Sequence, residues 1–509
     1  MKGAILILLS LLAISGNSVA QSSDSTKVQG TDSAKVYRKR VLESTEVSLL
    51  MSFYNQDGSH SPVNGGIGTE KLEDITPTLV ISIPLNNNDV LTFDAGISAY
   101  TSASSSNINP FMSVSSTLKS APLFTTTAAS RNSGGGGTII TTPTNSTPAV
   151  PSKPYGTPWL ASTGASHSDV NKAIHTDYSH SSDSRNLIWG SNVAYSKEYD
   201  YISYGFGGNV TRLFNEKNTE IGLKGSAYLD HWKPIYPTEL REYADYGLNF
   251  QSNGYFKGVT VMDNKGIAST AYLPSAFKPW DQTGRDSYTL SFFASQILNK
   301  KLQAAFFFDL VLQQGMLSTP YQRVYFADKP NYYIGYAAFI PVYTKPDNNA
   351  VYQLADDIER LPGNRYKFPF GVRASYYINE TFVLKGYYRY YLDNWGLKAH
   401  TLNLDLPVRF SQSFSVTPSF RYYIQNQVDY FAPFETHKSA EKYYTSDYDL
   451  SKFTAEQYSL ALNYTDIFTR LKISKLGFKN FNVRYSHYSR SDGLSANIIS
   501  FGIKLVGDK

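Results

Sequence analysis

The sequence predicts an all-β fold: a transmembrane, up-and-down antiparallel β-barrel of the outer-membrane type, with long extracellular loops and short periplasmic turns. Three observations predict it: an export signal, repeated alternation of apolar and polar residues, and connections that are alternately short and long. Aromatic residues make up 15% of the chain, with 40 Tyr and 29 Phe, yet mean hydropathy is −0.31. No segment after the signal is apolar enough for a transmembrane helix, whereas aromatic girdles of a barrel would explain the Tyr excess.

The N-terminus has the features of a cleaved signal peptide, residues 1–20. Lys2 supplies the positive start, Ala4 to Ile14 form an apolar run, and Ser18-Val19-Ala20 supplies small residues for cleavage. The alternative is an N-terminal membrane anchor, but the run is short for a spanning helix. We expect residues 21–42 to form a polar periplasmic tail and residues 43–509 to form the barrel, in the outer membrane.

Alternation with a period of two predicts the strands. In 401–410 one face carries apolar side chains, namely Leu402, Leu404, Leu406, Val408 and Phe410. Apolar side chains must face lipid, since a charge facing hydrocarbon costs several kcal/mol. About sixteen such segments occur, an even number as expected for a barrel with both ends in the periplasm. They lie near 46–55, 74–84, 90–101, 171–181, 187–197, 201–214, 219–231, 287–298, 301–313, 367–379, 380–393, 399–411, 413–426, 456–468, 478–490 and 494–506.

The connections between these segments support the same fold. Short polar turns at 85–89, 215–218, 299–300 and 411–412 alternate with long links at 102–170, 232–286, 314–366 and 427–455. Outer-membrane barrels have this asymmetry, with the long loops outside the cell. Residues 102–170 are of low complexity, which predicts a flexible extracellular loop. The amphipathic last segment is of the kind that barrel-assembly machinery recognises.

Several functional classes are disfavoured. The chain has no Cys, which excludes disulfides, thiolate metal sites and Cys nucleophiles, and its net charge of +5 includes no long basic run for nucleic acid. Neither HExxH nor GxSxG occurs among the eight His and the Ser residues. We therefore expect no enzyme, cofactor or metal. Ca²⁺ binding by Asp447 and Asp449, and a hydrolase assembled from separate strands, remain minor alternatives.

Alternation places a set of charges on the inner face of the barrel. The basic ones are Arg373, Arg389, Arg409, Arg421 and Arg484, with Lys385 and Lys504; the acidic ones are Asp94, Glu220, Asp230, Asp309, Asp393 and Asp405. Charges in the middle of a transmembrane strand imply the interior, because lipid exposure is costly. Two interpretations stay open: an ion network that braces the wall, or a constriction that selects solutes by charge.

Three strings lie where strands are expected to meet external loops: Arg389-Tyr390-Tyr391-x-Asp393-x-Trp395, Arg421-Tyr422-Tyr423-x-Gln425, and Gln314 to Arg323. Tyr391, Trp395 and Tyr423 have the apolar body and polar tip that suit a membrane interface. Gln314, Arg323 and Gln425 could brace the loops. The same groups would also suit a ligand site, in which Arg holds an anion and Tyr stacks.

Together with Glu359–Tyr366 and Ser446–Ser451, these strings resemble the exported family of domain of unknown function 3570, from about Glu46 to the C-terminus. The resemblance implies a barrel and little chemistry. Genes for its members often stand beside those for flavin-transferase and thioredoxin-like proteins, which hints at extracytosolic redox. Thr163-Gly164-Ala165-Ser166 loosely resembles a flavin-acceptor motif, but Leu160 and Ser166 depart from it, and small residues in a flexible loop explain it.

From the sequence we expect a channel or transporter for a small polar or anionic solute. The alternative is a plugged accessory barrel that docks envelope partners, with the redox association as one version of it. The expected partners are outer-membrane lipid, the barrel-assembly machinery and a small polar solute.

Overall fold

The structure is a computed structural model that describes residues 40–101, 168–281, 283–342 and 351–507. The predicted signal peptide, nearly all of the polar tail, most of the low-complexity segment and Thr163–Ser166 lie outside the described residues. Within them, sixteen antiparallel strands form a closed barrel, because the first strand pairs with the last as well as with the second. The predicted fold class is therefore confirmed.

The strands follow one another around the barrel in chain order. Their bounds are β1 Glu46–Asp57, β2 Leu72–Pro84, β3 Asp89–Thr101, β4 Ser168–Ser181, β5 Leu187–Lys197, β6 Tyr201–Phe214, β7 Thr219–Trp232 and β8 Gly284–Asn299. They continue with β9 Leu302–Gly315, β10 Asn364–Lys367 and Phe370–Tyr377, β11 Val383–Leu392, β12 Lys398–Asp405 and Val408–Arg409, β13 Phe414–Gln425, β14 Phe453–Thr465, β15 Leu476–Arg490 and β16 Ser495–Gly507.

Prolines interrupt two strands that the alternation predicts to be continuous. β12 breaks at Leu406 and Pro407, and β10 breaks at Phe368 and Pro369. Proline has no N–H group and cannot donate to the ladder, so the pairing lapses there. The register resumes unchanged across Pro369, since Lys367 lies opposite Val311 and Phe370 opposite Phe308.

The register places the apolar alternate residues together on one face of the barrel wall. Phe53 lies opposite both Ile75 and Ile499, and Val193 lies opposite Phe206. Val193 and Phe206 are each more than half exposed in the isolated chain. A contiguous apolar surface of this extent requires a lipid environment. This face is the exterior, and the opposite residues face the interior.

On the interior, glycines make room for large aromatic rings. A Cβ at Gly371 would lie 2.1 Å from the carbonyl oxygen of Tyr388 and 2.7 Å from the Phe307 ring. That space lets Phe307 stack on Tyr387 from the far side of β10, with centroids 5.5 Å apart and an interplanar angle of 3°. Phe293 lies over Gly222 in the same way.

At the end of the barrel opposite the termini, four connections pack into a folded cap: residues 58–71, 233–283, 316–363 and 426–452, as far as they are described. The helix α1, Thr238–Tyr246, belongs to it. No helix in the described ranges is long and apolar enough to cross a bilayer. The cap has its own apolar core, which includes Leu240, Phe250, Phe256, Phe326, Ile334, Leu354 and Ile358.

The cap extends across the mouth of the barrel. The β1–β2 connection and the β9–β10 connection start on strands that are half the ring apart. They nevertheless touch, because Arg323 Nη1 donates to the carbonyl oxygen of Val63 at 3.3 Å. Gly65, with φ of +75°, brings its backbone against Tyr325 in the same contact. Loops from opposite sides therefore meet above the lumen.

Candidate functional site

The predicted lumen arginines lie on the inner face of neighbouring strands in the C-terminal half of the barrel. Arg389 is opposite Gly371 and Thr401, one level nearer the cap than Arg421, which is opposite Asn403 and Gln457. The others follow on the same face of β10, β12 and β15. We call this set the arginine wall: Arg373, Arg389, Arg409, Arg421 and Arg484.

Among the described residues, the arginine wall has no acidic partners. No member forms an ion pair with a carboxylate in the part of the chain that the structure describes. Arg389 Nε is buried and has no hydrogen-bond partner among the described residues. Arg373 lies against aromatic rings instead, with its guanidinium carbon 5.3 Å from the Phe307 centroid and 5.5 Å from that of Tyr387. These guanidinium groups retain donors for a solute or for water.

Four arginines at the rim and in the cap differ from the arginine wall, because each of them has a carboxylate partner. The pairs are Arg285 with Asp230 at 3.0 Å, Arg323 with Glu239 at 2.8 Å, Arg360 with Asp357 at 2.9 Å, and Arg490 with Asp449 and Asp492. The bracing interpretation thus fits the rim and cap. The arginine wall is not part of such a network.

Acidic residues lie on the inner face of the other half of the ring. Asp94 on β3 is opposite His175, whose Nδ1 is 2.9 Å from Asp177 Oδ2 on the same strand. Glu220 and Asp309 occupy inner positions of β7 and β9, opposite Ser295 and Ser291. Lys224 on β7 and Arg285 on β8 are exceptions in this half, as are Asp393 after β11 and Asp405 on β12 in the other half. The inner wall is otherwise basic on one side and acidic on the other.

Asp405 and Asp393, the two acids predicted beside the arginines, have different surroundings. Asp405 lies opposite Lys385 and accepts a hydrogen bond from Asn403 Nδ2 at 3.0 Å. Asp393 follows the end of β11, and its fully buried side chain binds Arg365 at 2.5 Å. Its carboxylate also accepts from the backbone N–H groups of Trp395 and Leu397. Asp393 therefore organises the tight β11–β12 turn.

The remaining predicted rim residues do not come together at one place. Tyr391 donates to Asp393, whereas Trp395 is only 2% exposed and packs in the cap core rather than at the lipid interface. Tyr423 donates to Gln425, which itself donates to the backbone of the β13–β14 connection. The other two are dispersed: Arg323 is inside the cap and Gln314 is on the outward rim of β9.

Arg365 and Phe307 were not among the predicted site residues. The guanidinium carbon of Arg365 lies 4.2 Å from the centroid of the Trp395 ring, and the same group binds Asp393. Arg365 therefore holds the β11–β12 turn against β10. Arg365 belongs to the string Glu359–Tyr366, which carries part of the family resemblance. That resemblance was the sequence signal that could have pointed to Arg365. Phe307 lies in the run Phe306-Phe307-Phe308, where alternation does not show which ring faces inward.

Carboxyl groups are buried where the cap meets the rim. Glu359 accepts from the backbone N–H of Thr319 and from the hydroxyl of Thr445, and burial raises its pKa to about 7. Burial, with the charges of Asp449 and Glu359 nearby, also raises the pKa of Asp447. In the β5–β6 turn, burial beside Asp200 raises the pKa of Glu198 to about 7. Each of these carboxyl groups is therefore more easily protonated than an exposed one.

The predicted alternative of a calcium site at Asp447 and Asp449 has competing contacts. Asp449 binds Arg490, and Asp447 accepts hydrogen bonds from Gln322 and from the Asp449 backbone N–H. Across the described ranges, no group of three His, Asp or Glu residues is arranged to hold a metal ion.

Residues 31–498 match the family described as protein of unknown function (DUF3570). The chain belongs to this family. The DUF3570 match covers the cap and all of the barrel except most of β16, and it confirms the resemblance that the sequence strings carry. The comparison with curated proteins gave no match.

Solved structures similar to this DUF3570 chain are distant. A bacterial polysaccharide outer membrane secretin is 8% identical, with 92% of this chain and 100% of that chain covered and a TM-score of 0.39. A BenF-like porin from Pseudomonas fluorescens Pf-5 is 9% identical, with 91% and 99% covered and a TM-score of 0.35. OpdK from Pseudomonas aeruginosa is 7% identical, with 91% and 100% covered and a TM-score of 0.34. Likenesses this distant do not identify a solute.

Proposed function

We propose that the protein is an outer-membrane channel for small anionic solutes, and that the arginine wall lines their path. The observation that carries this proposal is the absence of carboxylate partners for these arginines in the described residues, when arginines of the rim and cap are paired. No catalytic step is part of the proposal.

The physical basis is the electrostatics of a polar interior. An unpaired guanidinium in a water-filled lumen keeps its charge and offers several donors in a plane that matches a carboxylate or phosphate. Low-dielectric walls focus the field of the charged side chains and raise the local anion concentration. The acidic residues of the opposite half would orient a solute across the lumen.

The cap suits a channel for small solutes rather than a wide pore. Its loops contact each other across the mouth and share an apolar core, so entry has to occur around or through a folded layer. Burial raises the pKa of Glu359 at its base, so the charge of this carboxyl group would link the layer to pH. The cap would therefore limit both the size and the rate of entry.

Outer-membrane insertion is part of the same proposal. The continuous apolar exterior requires contact with lipid, and the amphipathic β16 closes the barrel against β1 in register from Ser495 to Val506. We expect the barrel-assembly machinery to recognise this terminal strand after export through the predicted signal peptide.

The test is conductance in planar bilayers with a set of matched variants. Arg389→Gln and Arg421→Gln should each reduce anion conductance several-fold, because each removes one lumen charge. Arg212→Gln is the matched control, since Arg212 lies on the outer face opposite Ile221 and contacts Phe214. Equal conductance in all four proteins would overturn the proposal.

A second candidate is an accessory barrel that is closed by its cap and docks an envelope partner. The observation that favours it is the contact between loops from opposite sides of the ring. This candidate predicts an electrically silent wild-type protein and recovery of one defined partner after gentle extraction. Conductance in the wild-type protein would count against it.

A further inference from the structure

Two aromatic rings lie parallel to each other on the inner face of the barrel, next to the arginine wall. Phe307 on β9 and Tyr387 on β11 have β10 between them, yet their centroids are 5.5 Å apart with an interplanar angle of 3°. Gly371 on β10 leaves the space for this contact because it has no side chain. Both rings are partly exposed, and on this face the exposure is to the lumen. A further flat group can therefore stack on them from the lumen.

Arg373 lies over the same two rings. It is opposite Tyr387 on one side and Ala305 on the other, and its guanidinium carbon is 5.3 Å from the Phe307 centroid and 5.5 Å from the Tyr387 centroid. Its guanidinium forms no ion pair or hydrogen bond with another residue in the described ranges. A guanidinium that stacks on rings keeps its N–H donors in its own plane. Arg373 can therefore hold a carboxylate while it stays over the rings.

Arg389 is the second cation at this place. It follows Tyr387 by two residues on the same face of β11, and it lies opposite Gly371, two residues from Arg373 on β10. The two arginines are thus diagonal neighbours, with Cβ atoms roughly 7 Å apart. Arg389 Nε is buried and has no hydrogen-bond partner among the described residues. Like charges at this spacing repel each other, and an anion bound between them would relieve the repulsion.

Two acidic residues lie near this pair in the register, but neither neutralises it. Asp405 on β12 lies opposite Lys385 and accepts a hydrogen bond from Asn403. Asp309 follows Phe307 by two residues toward the cap, and within the described part of the chain it forms no ion pair with either arginine. The carboxylate of a solute would therefore lie toward β11, between the two arginines and away from Asp309.

We propose that this part of the arginine wall is a binding subsite for aromatic carboxylates. Arg373 and Arg389 bind the carboxylate, and the ring of the solute stacks parallel to Phe307 and Tyr387. An aromatic carboxylate is flat, so it can present its oxygens to the guanidinium groups while its face lies on the rings. This inference rests on the proposed function, because it specifies which small anions the lumen takes.

Anions that are not flat would use the arginines alone. Cyclohexanecarboxylate has the same charge as benzoate and the same number of non-hydrogen atoms, but its ring is puckered and has no π-system. It would gain the attraction of the guanidinium groups without the stacking. We expect benzoate to bind about three- to tenfold more tightly, which is the usual size of an aromatic stacking contribution.

The test measures the dissociation constants of benzoate and cyclohexanecarboxylate for the full-length protein in detergent. Saturation-transfer NMR provides them after the signal from protein-free micelles is subtracted. Tyr387→Leu and Phe307→Leu should each remove the preference for benzoate, whereas Tyr387→Phe should keep it because it keeps the ring. Arg373→Gln should weaken the binding of both acids by a similar factor, since both use its charge.

Tyr488→Leu is the matched control, because Tyr488 is an aromatic residue on the inner face of β15, opposite Gln457 and Ala496. It should keep the preference of the wild-type protein. Folding of each variant is checked by heat-dependent electrophoretic migration. Equal binding of the two acids by the wild-type protein would overturn the inference, and so would a preference that survives both Tyr387→Leu and Phe307→Leu.

The binding experiment and the conductance experiment fail separately. A wild-type protein that conducts anions but binds the two acids equally would contradict the subsite and leave the channel intact. An electrically silent protein that prefers benzoate, with the predicted effects of the variants, would contradict the channel and support the subsite.

Discussion

Arg323 and Glu239 form an ion pair in the interior of the cap, with Arg323 Nε donating to Glu239 Oε1 at 2.8 Å. The two side chains are 1% and 0% exposed. Glu239 is in α1 of the β7–β8 connection and Arg323 is in the β9–β10 connection, while Val63 of the β1–β2 connection accepts from the same guanidinium. One buried pair thus joins three loops over the mouth of the barrel.

We predict that Arg323→Met loosens the cap without unfolding the barrel. Removing one member of a buried pair leaves an uncompensated charge and typically costs about 3–5 kcal/mol. Hydrogen exchange of 233–281 and 316–342 should accelerate strongly while exchange in the strands stays slow. Arg241→Met is the control, because its pair with Glu242 is partly exposed at 3.6 Å. Slow exchange in the cap of Arg323→Met would show that the pair does not hold it.

Asp393 should contribute to stability through its backbone contacts as well as its charge. Asp393→Asn keeps an acceptor for the N–H groups of Trp395 and Leu397 but loses the ion pair with Arg365. Asp393→Ala loses both. We expect thermal unfolding temperatures in the order wild type, Asn, Ala, with the Ala variant lower in stability by several kcal/mol. Equal unfolding temperatures for Asn and Ala would mean that the turn does not use these backbone bonds.

Gly371 should be intolerant of any side chain. An added Cβ would lie 2.1 Å from a backbone carbonyl oxygen, which cannot move without breaking the β10–β11 ladder. Gly371→Ala should therefore reduce the yield of folded, heat-modifiable barrel. Gly225→Ala provides the comparison, because nothing lies within 4 Å of its added Cβ. The prediction fails if the two variants fold with equal yield.

The stability of the cap should fall as pH rises. Burial raises the pKa of Glu359 from 4.5 to about 7. The stabilisation that this group gives the folded cap is therefore complete below pH 4.5 and is lost as pH rises through about 7. Asp356, also in the cap, follows the same direction, with a pKa raised to about 7 by burial. Hydrogen exchange in 316–342, corrected for intrinsic rates, should be faster at pH 8.5 than at pH 5.5.

Glu359→Gln supplies the control for this pH dependence. Gln is uncharged at every pH, so the change in exchange between pH 5.5 and pH 8.5 should shrink. The interpretation is wrong if wild type and Glu359→Gln respond to pH equally.

The barrel could be predicted from the sequence because its constraint is local. Each strand must present apolar residues to lipid at every second position, so Leu402 and Leu404 reveal their own orientation. The same rule places Arg389 and Arg421 on the interior. Interruptions such as that at Pro407 shift element ends without changing the number of strands.

The cap could not be predicted in this way because its contacts have no period. Arg323 and Glu239 are distant in sequence, and their pairing depends on how three irregular loops fold together. The same limit applies to Arg365 and Asp393, which meet only because β10 and β11 pair in a particular register. Nor does the sequence show that the arginine wall lacks acidic partners, since that depends on distances across the lumen.

If unpaired arginines make the interior selective for anions, the zero-current potential of the wild-type channel should reveal it. In a planar bilayer with a KCl gradient, the potential should have the sign set by chloride and move toward zero in Arg389→Gln. A potential with the sign set by potassium, unchanged by that substitution, would show that these arginines do not select anions.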